Sequence, residues 1–141
     1  MKIDTSFLER CIHTLEKAHA LLLATDPEQI EHDLYRSACV KEFEIILEQS
    51  GKLLRKALKP YFHSSQSVDK LYFKDVFRQA VVRSIITPEV CERFLAYREN
   101  RNNTAHDYGV NFAKETLVLL PQFILDTKLL AKSLNQEPDA T

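Results

Sequence analysis

The chain has only two glycines and five prolines in 141 residues. Tight turns are therefore few, which argues against a many-stranded sheet and for a small number of long helices. No period-2 strand pattern, internal repeat or low-complexity segment is visible. No apolar run approaches the ~20 residues of a membrane span. The N-terminus has no apolar core of signal-peptide length. The expectation is a cytoplasmic chain with no membrane association. The three cysteines, Cys11, Cys39 and Cys91, are too scattered for a zinc cluster and odd in number. Each stands among apolar positions and reads as a small buried hydrophobe in a reducing compartment. No metal and no cofactor is expected.

What is present is ordinary for a globular domain: 45% hydrophobic and 28% charged residues. A chain this long buries roughly 68–70% of its unfolded surface, enough to fold without staples. One domain is expected over 1–141, its core at about 5–135 and its C-terminal tail frayed. The net charge of −1 is unevenly spread. Residues 1–51 carry 5 Lys/Arg against 10 Asp/Glu, 52–101 carry 11 against 5, and 102–141 carry 3 against 5. The basic middle third fits a polyanionic ligand such as RNA or a nucleotide. It equally fits helix faces that pair with the acidic first third.

Apolar spacing predicts an all-α antiparallel bundle of four or five helices. Helix 1 is expected over about Ser6–Ala24. Ser6 and Glu9 form its capping box, and Phe7, Cys11, Leu15, Ala18 and Leu22 its inner face. Asp26-Pro27 reads as the start of a second, long helix reaching about Lys59. Its seam is Tyr35, Cys39, Phe43, Ile46, Ser50, Leu53, Ala57 and Tyr61. Gly51 sits mid-helix, where a crossing helix or simple local weakness explains it. Lys52, Arg55, Lys56 and Lys59 give this helix a basic end. Such an end suits the helix dipole, or a phosphate. Pro60 stops it, and His63–Ser67 reads as a loop. Helix 3 is expected over about Asp69–Ile85, with Phe73, Phe77, Ala80, Val81 and Ser84 inward. Thr87-Pro88 caps helix 4. Gly109 ends that helix, and helix 5 covers about Val110–Leu134. Its face carries Phe112, Thr116, Leu119, Phe123 and Leu130, and Pro121 is expected to kink it near 117–121.

Residues 98–109 break the pattern. Apolar side chains almost vanish, and guanidinium, carboxamide, hydroxyl, imidazole and phenol groups gather at a helix end. Arg101 and His106 are five apart, which is about 140° around a regular helix, so they do not share a face. Asn102 and His106 do. Two arrangements bring Arg101 to His106: an unwound turn at Asn103–Thr104, or two copies meeting across a two-fold axis. Arg offers a permanently charged fork for phosphate, and His exchanges a proton near neutral pH. Without clustered carboxylates, the pair suits metal-independent RNA cleavage, with Arg98, Lys52, Arg55 and Lys56 as candidate RNA contacts. The same residue types are also ordinary helix-end caps.

The run Arg101-Asn102-Asn103-Thr104-Ala105-His106-Asp107-Tyr108 resembles the Arg-x4-His-x-Tyr signature of HEPN-domain proteins of the HepT type. Tyr35–Glu44, continuing into Leu53–Lys56, is similar to helix 2 of the related nucleotidyltransferase substrate-binding proteins. The resemblance covers about residues 5–135. It implies a homodimeric helical bundle encoded beside a minimal nucleotidyltransferase. In HepT-type members the bundle is a toxin that cleaves RNA without metal, and the nucleotidyltransferase is its antitoxin. Carried over, Arg101 and His106 become the ribonuclease pair and Asn102 the polar neighbour of the arginine. Tyr108 becomes the tyrosine to which the partner adds AMP. The substrate-binding branch implies instead a non-catalytic subunit that presents a substrate to the transferase.

Overall fold

The computed structural model describes residues 3–104 and 110–136. Helix α1 (Ser6–Ala24) buries Leu8, Cys11, Ile12, Leu15, Ala18 and Leu22. Phe7, expected inward, is 55% exposed, because Leu8 and Ile12 complete the stripe instead. The cap also lies one residue earlier than expected. Thr5 is the N-cap, and its hydroxyl donates to the Glu9 carboxylate at 2.9 Å. The Ser6 amide is satisfied by Asp4.

Asp26-Pro27 starts a turn, not a helix. The Asp26 carbonyl accepts from Gln29 N–H and its side chain from Glu28 N–H, so the backbone is committed before α2 (Ile30–Leu58) begins. This 29-residue helix is about 44 Å long. Cys39, Phe43, Ile46, Ser50 and Leu53 are buried along the expected seam, whereas its outer end, Tyr61, is exposed. A single 3-10 turn, Lys59–Tyr61, carries Pro60 past the helix end.

The stretch His63–Ser67, expected as a loop, holds the start of a short helix, and the expected third helix begins only at Phe73. Ser64 caps the short α3 (Ser65–Asp69) by accepting from Ser67 N–H, and Val68 pins it to the core. One apolar residue gives no periodicity to read. Helix α4 (Phe73–Val82) follows and stops earlier than Ile85. Ser84 adopts φ 60°, with Ser84 N–H on the Val81 carbonyl and Ile85 N–H on the Ala80 carbonyl. These two bonds are the Schellman pattern, so Ser84 faces solvent rather than the core.

Helix α5 (Pro88–Thr104) starts as expected, with Thr87 Oγ1 accepting from Val90 N–H. Helix α6 (Val110–Asn135) runs unbroken through Pro121, which lies on its exposed side. Along α6, Thr116, Phe123 and Leu130 are buried as expected, and Leu119 is half-buried. Phe112 falls outside the described side chains, and Gly109 outside the described residues. Among the described residues there is no strand.

Helix α2 is the spine: α1, α3, α4, α5 and α6 all pack on it. Rings from four helices fill the centre. Phe43 and Phe123 lie 4.6 Å apart, Phe77 stacks on Phe94 at 4.7 Å, and Tyr97 meets Phe123 edge-on at 4.9 Å. These spacings suit aromatic pairs, which add about 0.5–1.5 kcal/mol each beyond area burial.

Candidate nucleic-acid interface at the end of α5

The apolar stripe of α5 ends at Tyr97. Arg98 and Asn102 are exposed and Arg101 is half-buried. Arg101 and Asn102 stand one helical turn after Arg98, and all three share one end of the bundle. Arg98 separates two hollows. In the first, about 430 Å³, Arg98, Arg101 and Asn102 look across at Lys41, Glu44 and Glu48 of α2. In the second, about 620 Å³, Arg98 and Asn102 face Tyr72, Phe73 and Lys74 at the start of α4.

Arg98 is held in place by stacking. Its guanidinium lies 4.8 Å over the Phe73 ring, a contact worth about 0.5–1 kcal/mol at an exposed site. Phe73 packs over Gly51 of α2. A Cβ there would lie 3.4 Å from the Phe73 ring. The mid-helix glycine is therefore a contact point for a crossing element.

The remaining expected contacts are spread along α2. Positions 44, 48, 52 and 56 step by four and share one stripe. Lys52 and Lys56 are exposed on it, beyond the two carboxylates, and line neither hollow. Arg55 is engaged elsewhere: its Nη1 donates to the Val68 carbonyl at 3.0 Å and ties α3 to the spine. His106 and Tyr108 lie outside the described residues. The backbone at Asn103–Thr104, where an unwound turn was one option, is helical. Among the described residues no three His, Cys, Asp or Glu side chains are grouped as metal ligands would be.

One constellation escapes sequence reasoning. Asp126 of α6 is fully buried. Its oxygens accept from Arg93 Nε at 2.8 Å and Nη2 at 2.9 Å, from Tyr97 Oη at 2.5 Å and from Gln122 Nε2 at 3.1 Å. Burial, and then the bond to Asp126, push the Tyr97 phenol above its ordinary range. The same carboxylate holds the Arg93 guanidinium firmly charged. One residue before Arg101, Asn100 Nδ2 donates to Thr116 Oγ1 at 3.1 Å. Together these bonds fix α5 on α6 and set the direction in which Arg98, Arg101 and Asn102 project. The available signal was a lone Asp inside the apolar run 123–131.

Comparison with known proteins agrees with this architecture. The family described as nucleotidyltransferase substrate binding protein like matches residues 4–136. A probable ribonuclease HepT from Haemophilus influenzae is 22% identical over 139 residues, 96% of this chain and 94% of the relative. A solved Haemophilus influenzae structure, described as revealing the fold of a nucleotidyltransferase's substrate-binding domain, superposes with a TM-score of 0.79. It is 22% identical and covers 94% of this chain and 100% of that one. A solved protein of Thermus thermophilus gives a TM-score of 0.66 at 23% identity, covering 92% and 99%. No helix among the described residues is long and apolar enough to cross a membrane.

Proposed function

This chain belongs to the nucleotidyltransferase substrate binding protein-like family, and from that membership we propose that it is the HEPN toxin of a type VII-like toxin–antitoxin pair. In this reading a homodimer cleaves RNA without metal, and a minimal nucleotidyltransferase silences it. The observation that carries the proposal is the placing of Arg98, Arg101 and Asn102 together on hollows at the end of α5, where the Arg-x4-His-x-Tyr sequence begins. The relative described as a probable ribonuclease HepT supports it.

The chemistry follows from the residue types. His106 takes the proton from a ribose 2′-hydroxyl, and that oxygen attacks the adjacent phosphorus. The 5′ oxygen leaves and gains a proton, giving a 2′,3′-cyclic phosphate and a 5′-hydroxyl end. Arg101 stabilises the added negative charge on the phosphate. Asn102 orients the imidazole or holds a phosphate oxygen. Arg101 starts from a regular helical turn, which favours a composite site in which the arginine of one protomer faces the histidine of the other. Lys52, Lys56 and Arg98 bind the RNA backbone, together with the donors of the Arg55 fork left over from Val68. Addition of AMP to Tyr108 by the partner would place bulk and negative charge beside the site and exclude RNA.

A second reading has its own support in the family description and in the solved neighbour. In it the bundle is a non-catalytic subunit presenting a substrate to the transferase, and the carboxylates Glu44 and Glu48 beside Arg101 would weaken its hold on polyanions. One experiment separates the two. Purified dimer is incubated with labelled RNA and a metal chelator, beside His106→Ala. The nuclease reading expects cleavage that falls by about 10²-fold or more in the variant. Intact RNA from the unmodified dimer rejects it. Tight binding to the nucleotidyltransferase, indifferent to His106→Ala, would then favour the second. Mass spectrometry after co-expression tests whether Tyr108 carries adenylate.

A further inference from the structure

The hollow on the α4 side of Arg98 has features that neither reading uses. Tyr72 is 76% exposed at its mouth, directly before α4. It is an aromatic face offered to solvent in a concave setting, beside Phe73 and Leu95. Lys74 and Arg98 bring two positive charges to the same hollow, against one carboxylate from Glu99. Asn102 adds a carboxamide, which can both donate and accept. The hollow's 620 Å³ falls within the usual size of small-ligand sites. Arg98 is already oriented by Phe73, so less side-chain freedom is lost when it meets a phosphate.

An exposed ring flanked by cations is the pattern by which proteins hold single-stranded nucleic acid: bases stack on the aromatic face while the backbone follows the charges. We infer that this hollow is a base-stacking subsite for single-stranded RNA, with Tyr72 as the platform and Lys74 and Arg98 on the phosphates. The inference rests on the nucleic-acid reading of this end of the bundle. It adds that the protein grips an unpaired nucleotide next to the phosphate held by Arg101. Duplex RNA, with its bases already stacked on each other, cannot use the platform.

The test is fluorescence anisotropy with two labelled oligomers of equal length and charge: an oligodeoxyadenylate and its abasic counterpart. Neither has a 2′-hydroxyl to attack, so the result does not depend on whether Arg101 and His106 cleave. The unmodified dimer is expected to bind the adenylate about tenfold more tightly than the abasic oligomer. Tyr72→Ala should abolish most of that difference, and Tyr72→Phe should keep it. Lys74→Gln should weaken both oligomers alike and flatten the salt dependence by about one ion. Equal binding of the two oligomers by the unmodified dimer, or failure to bind either, overturns the inference. So does Tyr72→Ala behaving as the unmodified protein, or Tyr72→Phe failing as badly as Tyr72→Ala. If Tyr72→Ala leaves oligomer binding intact but weakens association with the nucleotidyltransferase, the hollow is a protein-docking face and the inference is wrong. Chelator-resistant cleavage with no stacking effect would leave the nuclease reading standing alone.

Discussion

The Tyr97 hydroxyl donates to the Asp126 carboxylate at 2.5 Å, inside the seam between α5 and α6. The pair is not decorative. A fully buried carboxylate must be matched by donors, and Tyr97, Arg93 and Gln122 supply them. Taking away Asp126 leaves the buried Tyr97 hydroxyl unmatched, while Arg93 and Gln122 still reach solvent. Asp126→Ala and Tyr97→Phe are each expected to cost about 1–3 kcal/mol, read from urea unfolding. A loss under ~1 kcal/mol for Asp126→Ala would mean that packing alone aligns the two helices.

Gly51 and Phe73 make a second, opposite kind of prediction. Alanine at 51 gains about 0.8–1 kcal/mol in helix propensity, but its Cβ meets the Phe73 ring at 3.4 Å. The ring need give little or nothing, so Gly51→Ala should leave stability unchanged or raise it by up to about 1 kcal/mol. Gly51→Leu has no such room and should cost about 1–3 kcal/mol. It should also push Phe73 away from Arg98 and weaken oligonucleotide binding, although residue 51 touches no ligand. Unchanged binding in Gly51→Leu would break the proposed link from Gly51 through Phe73 to Arg98.

The buried thiols predict an alkaline loss of stability. Cys39 is fully buried, and burial pushes its thiol from 9.0 up to about 11. Cys11 also rises to about 11, through burial and then the nearby Glu42 carboxylate. In the unfolded chain these groups ionise first. Their stabilising contribution is thus complete below about pH 9 and lost as pH rises to about 11. Tyr97 acts in the same direction at higher pH. Urea midpoints should fall as pH rises from about 9 to about 11, less steeply in Cys39→Ala. Below that window the native thiols should react slowly with an aromatic disulfide reagent, and all at once in urea. Rapid reaction of the native protein would contradict the burial of the three cysteines.

Legibility in the sequence followed the range of the forces. The seam of α2 from Cys39 to Leu53 and the Thr87 cap were readable because each depends on residues within a turn or two. The polar end of α5 was readable for the same reason: the apolar stripe stops at Tyr97. Ser64 and Ser84 were misread because one residue type serves as cap, turn or core neighbour, and only the surrounding backbone decides. Asp26-Pro27 resembled a helix start because the same two residues also suit the first half of a turn. Asp126 with Tyr97, and Tyr72 beside Arg98, are contacts between distant segments. No local spacing announces them, and their role became visible only once α4, α5 and α6 were in place.

The spine helix also bears on how the protein comes apart. Every other α-helix packs against α2, so none can leave without baring part of the same aromatic core. Losing α2 removes the support of all the rest. Amide hydrogens of α2, α5 and α6 should then exchange together through one global opening rather than in separate steps. For a domain that carries its reactive groups at one helix end, the consequence is kinetic. Within the packed helices, a protease is expected to find cleavable backbone only through the global opening.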